Sequence, residues 1–192
     1  MESLQGRQTP AAGPMAQLQY ELALRQGLFA KVHGGLRYGV DHLRGLTRTI
    51  GARSTPTPLG PYVPTPPIVA RRLLQLARVH STDTVYDLGC GDGRMVIMAA
   101  QEFGARGVGL DIDPARIAVA TANAATAGVE HVVQFRVEDV MRAKLDTATV
   151  VMVFLPEEAY AVLFPTLRTH LRPGTRVVSH GFFFPQCLPD KA

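Results

Sequence analysis

Asp87-Leu88-Gly89-Cys90-Gly91-Asp92-Gly93-Arg94 sets three glycines at alternate positions, with a carboxylate two residues before the first. Val85-Tyr86 ahead of it reads as the end of a buried strand, and Met95 onward reads as a helix. Glycines at such a junction let the backbone turn sharply and approach a ligand at the carboxyl end of a strand. A dinucleotide fingerprint would need a third glycine where Arg94 stands. The acid at Asp87 would also repel a pyrophosphate. It suits a cationic ligand bearing an amino acid, and S-adenosylmethionine carries an ammonium, a sulfonium and no phosphate.

Two further carboxylates follow at matching places. Asp111 lies 22 residues after Gly89, at the end of Gly107-Val108-Gly109-Leu110. An acid at this offset can accept both ribose hydroxyls of an adenosine. Asp113 already has work as the N-cap of a helix opening at Pro114. Asp139, after Val137-Glu138, can accept the exocyclic amine of adenine, with Ile112 and Val140 flanking the ring. A loop acid without a ligand is the other reading of Asp139.

The elements that must position these groups alternate along the chain. Helical spacing covers Ile68 to Val79. Strands are expected at Thr84–Leu88, Gly107–Ile112, Val132–Val137, Thr149–Leu155 and Arg176–His180. Helices are expected at Met95–Phe103, Pro114–Ala127 and Glu157–Leu171. Val-rich strands alternating with helices predict an α/β fold, a mostly parallel sheet covered on both faces.

Ahead of this body the chain changes character. Residues 1–54 comprise a flexible tail (1–14) and a basic arm. In the arm, Leu22, Phe29, Val32, Leu36, Val40, Leu43 and Ile50 form one narrow apolar stripe, interrupted by glycines. Such an arm packs on the body or a partner, or lies on a membrane surface through residues 18–50. Residues 55–67 are a Pro-rich linker, and 68–192 form the ligand-binding domain. Residues 1–60 hold seven basic and three acidic side chains, whereas residues 61–192 hold thirteen of each. A neutral body argues against a nucleic-acid substrate, whose phosphates call for a basic groove. The 192 residues are 46% apolar and 19% charged, which excludes wholesale disorder. Two cysteines, a polar N-terminus and no long apolar run lead us to expect a cytoplasmic protein.

With these motifs in order, residues 61–190 resemble the class I, Rossmann-like S-adenosylmethionine-dependent methyltransferases. More narrowly, Tyr62-Val63-Pro64-Thr65-Pro66, Phe154-Leu155-Pro156 and Arg172-Pro173-Gly174-Thr175-Arg176-Val177-Val178-Ser179-His180 resemble one bacterial group. That group is similar to the mitochondrial lysine methyltransferases acting on the ATP-synthase c-ring protein and the adenine nucleotide translocase. The resemblance implies S-adenosyl-L-methionine as cofactor and a protein lysine as substrate, with a small-molecule substrate or a scaffold of little turnover as alternatives. It implies a cofactor set of Thr65, Asp87, Gly89, Cys90, Gly91, Gly93, Asp111, Ile112, Asp139, Val140 and Leu155, and no metal. The loop after the fourth strand lacks the Asn or Asp of base methyltransferases. Glu157 and Glu158 there suit either a cationic lysine or the positive end of a helix, and the second is favoured. His180 reads as a structural histidine before it reads as a base.

The expected sheet is short of its usual partner. Twelve residues follow His180, too few for the C-terminal hairpin of strands six and seven that the family adds. Strand five, continuing into Phe182-Phe183-Phe184, is therefore expected to be an open edge prone to self-association.

Overall fold

The computed structural model describes residues 62–182 and Phe184. The expected tail, the arm and most of the linker lie outside the described residues. Five strands form one sheet: β1 (Thr84–Leu88), β2 (Arg106–Asp111), β3 (Val133–Val137), β4 (Val150–Val153) and β5 (Arg176–Ser179). Every pairing is parallel and the order is β3-β2-β1-β4-β5, so the chain changes direction of travel between β1 and β4. Ligands collect at the carboxyl ends of strands near such a reversal.

Strand alternation sends the side chains to two cores. Val85, Val150 and Met152 meet helices α1 (Pro67–Leu76) and α2 (Arg94–Phe103) through Leu74, Met95 and Val96. Tyr86, Leu88, Val151 and Val153 face the other way, onto Tyr160, Leu163 and Leu167 of helix α4 (Glu157–His170). Helix α3 (Pro114–Ala127) joins α2 and β3 through Ala124, Ile97 and Val133. The two faces together make this a Rossmann-like sheet.

The helices begin and end where local chemistry directs. Pro67 opens α1 at a position whose N–H has no intrahelical partner. Asp113 caps α3 by accepting from Ala115 N at 2.8 Å, and Gly128 at φ 70° ends it. The crossover from β3 to β4 is the exception. It makes a single 3-10 turn, Val140–Arg142, and then an irregular run whose Ala143 and Leu145 are fully buried. These residues take the place of a helix on that face.

The described residues after β5 depart from expectation. β5 stops at Ser179 and does not run on into the phenylalanines. Gly181 at φ 81° turns the chain back, and Phe184 packs on Tyr160 with ring centroids 4.9 Å apart. Phe182 also reaches Tyr160, at 6.1 Å. Burying two aromatic rings against α4 stabilises more than extending a four-residue edge strand into water would. Among the described residues β5 still carries no outer neighbour, and Val177 is 38% exposed. Tyr160 also donates from its hydroxyl to Val153 O at 3.1 Å. Tyr160→Phe should cost about 1 kcal/mol, read from the urea midpoint, because it removes one of the two hydrogen bonds to Val153 O and leaves only that from His180 N. An unchanged midpoint would remove this bond from the account of the core.

Candidate functional site

The carboxyl ends of β1, β2, β3 and β4 bring most of the expected residues to one place. After Leu88 the glycine turn takes left-handed backbone at Gly89 (φ 84°), Gly91 (φ 54°) and Gly93 (φ 81°). Gly89 N and Cys90 N both donate to Leu110 O, at 2.8 and 2.9 Å, which folds the turn over the end of β2. Gly91 N donates to Asp111 Oδ2 at 2.9 Å, and Asp113 N donates to Asp111 Oδ1 at 3.0 Å. Each carboxylate oxygen has a second lone pair, so Asp111 is oriented by the protein and can still accept two hydroxyls.

Close packing explains the glycines as well as φ does. A Cβ on Gly89 would lie 2.9 Å from Leu155 Cδ2, so Leu155 after β4 closes directly on the turn. A Cβ on Gly109, the β2 neighbour of Asp87, would lie 2.6 Å from Phe135 and 2.8 Å from Cys90 Sγ. Cys90 is buried and its thiol is pushed well up by that burial and by Asp87 and Asp111, so it fills space and is no nucleophile.

The electrostatics select the ligand's charge. Asp87 is 8% exposed, and no hydrogen-bond donor reaches its carboxylate among the described residues. Burial first, then Asp111 and Asp92, push its carboxyl up to about 7. A buried acid without a donor calls for a cation with N–H groups. Burial would raise Asp92 too, but hydrogen bonds and charge from Arg94 bring it below the ordinary range. Arg94 grips Asp92 through Nη2 at 2.6 Å and Nε at 2.9 Å. Its Nη1 donates to Thr65 O at 2.9 Å, which ties the buried Thr65 to the turn. From sequence, Arg94 serves only to exclude a dinucleotide.

The remaining expected residues stand further along the rim. Glu138 N donates to Asp111 O at 2.9 Å, which brings the end of β3 beside β2. Asp139 Oδ1 accepts from Met141 N at 3.0 Å, capping the 3-10 turn, and keeps acceptor capacity on its other oxygen. Ile112 is half-buried, and Val140 points into the core under α4. His180 donates its backbone N–H to Val153 O at 2.9 Å and stacks on Phe154 at 4.3 Å. Burial lowers its imidazole pKa, which keeps it neutral at pH 7. Glu157 and Glu158 lie exposed in the first turn of α4. No group of acidic, His or Cys residues among those described could hold a metal ion.

Sequence reading missed Tyr62 as part of this site. Its ring stands over Gly91, with Cε2 2.3 Å from where a Cβ would be, and the Arg116 guanidinium lies 3.8 Å above the ring centroid. The signal was present: an aromatic residue just ahead of two prolines, and an Arg in the first turn after Asp113.

S-Adenosylmethionine fits this donor set: an unmatched buried carboxylate for its ammonium and an oriented one for its ribose, with Arg94 at the turn already paired to Asp92. Comparison with known proteins agrees. A protein-lysine N-methyltransferase of Saccharolobus islandicus is 46% identical over 123 residues, which are 64% of this chain and 76% of that one. The lysine N-methyltransferase of Xenopus laevis that is named for the ATP synthase c-ring protein is 33% identical over 130 residues, 68% of this chain and 57% of that one. The crystal structure of an RNA methyltransferase from Salinibacter ruber, in complex with S-adenosyl-L-homocysteine, is 49% identical with a TM-score of 0.66, covering 67% of this chain and 84% of that one. The family model of the ANTKMT methyltransferase domain matches residues 87–191. The glycine turn, the three carboxylates and a family match spanning more than half of the chain agree, and the chain belongs to the ANTKMT family of S-adenosylmethionine-dependent methyltransferases.

Proposed function

We propose that this enzyme methylates the Nζ of a lysine in a protein substrate. The observation that carries the reading is the 46% identity to a protein-lysine N-methyltransferase over 76% of that protein's length. The site agrees with it. The loop after β4 offers Phe154, Leu155 and Pro156, all half-buried, followed by the exposed acids Glu157 and Glu158. Apolar walls accommodate a four-methylene stem, and acids at the rim attract its cationic end. No Asn or Asp stands there to grip the amine of a nucleobase.

In this reading Asp87 takes the cofactor's ammonium, Asp111 its ribose hydroxyls, and Asp139 its adenine amine beside Ile112; Val140, expected at the ring's other face, is turned into the core instead. Gly89, Cys90, Gly91, Gly93, Thr65 and Leu155 form the walls. The bound cofactor supplies a methyl group already activated on a sulfonium. The protein's task is therefore alignment and exclusion of water, to which the buried Cys90, Gly91 and Gly93 and the close approach of Leu155 to the turn contribute. The proposal extends to a cytoplasmic location, membrane contact through residues 18–50, and self-association at the outer edge of β5. For the last, the exposed Val177 is the supporting feature.

RNA is the second reading, because the 49% identical Salinibacter ruber protein is named an RNA methyltransferase. Transfer of tritiated methyl from S-adenosylmethionine into a cell lysate separates the two. Label should enter material destroyed by protease and resistant to nuclease, and its hydrolysate should contain methyl-lysine. Label destroyed by ribonuclease would replace the lysine reading with the RNA one.

A further inference from the structure

Residues 62–66 have no helix or strand, yet they are fastened to the glycine turn at several points. The Tyr62 ring fills the space that any side chain on residue 91 would occupy. Arg116, in the first turn of α3, covers the ring at 3.8 Å from its centroid and stays within 3.7 Å of Asp113. Burial and the nearby Asp92 carboxylate raise the Tyr62 phenol above its ordinary value, and Arg94 holds that carboxylate in place. Arg94 in turn bonds Thr65 O, and Asn123 Nδ2 donates to Asp92 O at 2.9 Å. Pro64 and Pro66 stiffen the backbone between these contacts.

Gly91 thus has the Tyr62 ring packed against its Cα, while its N–H is bonded to Asp111 Oδ2 at 2.9 Å. A glycine at φ 54° has wide conformational freedom of its own, so something must hold it. From this geometry we infer that Tyr62, clamped by Arg116, is a positioning residue for the cofactor. It fixes Gly91, and Gly91 fixes the carboxylate of Asp111 for the ribose. The inference rests on the assignment of Asp111 to the ribose made above. Pre-organising a turn in its bound form removes part of the ordering cost of binding.

Two measurements on the full chain test this. The first needs no ligand: hydrogen exchange of the Gly91 amide, whose only described acceptor is Asp111. Tyr62→Ala should speed that exchange about tenfold, while amides of the β1–β4 ladder keep their protection. Tyr62→Phe keeps the ring and should stay within about twofold of the parent. The second is a double-mutant cycle on S-adenosylhomocysteine affinity by calorimetry. Tyr62→Ala should weaken binding about tenfold, and Arg116→Ala about threefold. In an Asp111→Ala background, Tyr62→Ala should add less than about twofold, because its effect passes through Asp111. Unchanged Gly91 exchange, or a full tenfold loss in the Asp111→Ala background, would overturn the inference. If the assignment of Asp111 were itself wrong, Asp111→Ala alone would leave affinity unchanged, which the cycle reports separately.

Discussion

Asp87→Asn should weaken S-adenosylmethionine binding by a factor of at least about 30 at pH 8, while making the ligand-free protein more stable. Both effects come from one fact: a carboxylate 8% exposed, with no donor among the described residues, beside Asp111 and Asp92. Removing one partner of a buried, hydrogen-bonded charge pair costs about 2–5 kcal/mol of binding, and asparagine removes the charge without changing the volume. In the ligand-free fold the carboxyl is raised to about 7, above its value in the unfolded chain. The folded state therefore holds this proton more tightly than the unfolded state. The contribution of this group to stability falls as pH rises from about 4 to 7 and levels off above that.

Binding has the opposite sign, since an ammonium prefers the ionised acid. Affinity should rise with pH up to about 7, by at most about tenfold per unit, and then flatten. In the asparagine variant the rise attributable to this group should vanish. Calorimetry from pH 5.5 to 8.5, with thermal unfolding alongside, reads all three effects. Binding by Asp87→Asn within threefold of the parent at pH 8 would remove Asp87 from the cofactor's ammonium.

The second large effect is expected at the opposite end of the sheet. Asp83→Ala should lower stability by about 3–5 kcal/mol without altering S-adenosylhomocysteine affinity in protein that remains folded. The Asp83 side chain is 3% exposed. It accepts from Thr149 Oγ1 at 2.7 Å, from His80 N at 2.9 Å, and from Arg176 Nη2. Arg176 Nη1 reaches Ala77 O at 2.7 Å and Arg78 O at 2.9 Å, which closes the C-terminal end of α1. Removing Asp83 leaves a partly buried guanidinium without its counter-charge and the Thr149 hydroxyl with only Thr84 O, at 3.4 Å, to accept its proton.

Burial opposes ionisation of Asp83, but Thr149, the His80 N–H and Arg176 outweigh it and hold the carboxyl below its ordinary value. Its contribution is therefore complete above about pH 4 and is lost as pH falls through the depressed value. Urea midpoints at pH 7 and pH 3 should differ less in Asp83→Ala than in the parent. A midpoint at pH 7 equal to the parent's would show that the network contributes nothing net. Arg176→Lys should not restore the parent's stability, because a single ammonium cannot serve Asp83 and two carbonyls in the guanidinium's fixed fork.

What the sequence determined by itself was local. Each strand–turn–helix unit is specified within about a dozen residues, by apolar period, glycine placement and caps. Thr84–Leu88 and Pro114–Ala127 fall where their patterns place them, and Asp113 caps as expected. The left-handed turn at Gly89, Gly91 and Gly93 was legible for the same reason, since only glycine takes those angles at no cost. So was the offset from Gly89 to Asp111, because one helix and one strand span a nearly fixed number of residues.

The tertiary structure decided what depends on segments distant in sequence. Asp83 meets Arg176 across 93 residues, and nothing in either neighbourhood announces the partner. Tyr62 reaches Gly91 only because α1 lies against α2 and leads the preceding segment back over the turn. Phe184 leaves the line of β5 because Tyr160 and Phe164 offer it a buried face. The crossover after β3 became a 3-10 turn with a buried irregular run, since Leu145 and Ala143 fill the space without helical periodicity. Periodicity records which face of an element is apolar. Which other element covers that face is settled by packing among elements, where volume and hydrogen bonding across the whole domain must be met together.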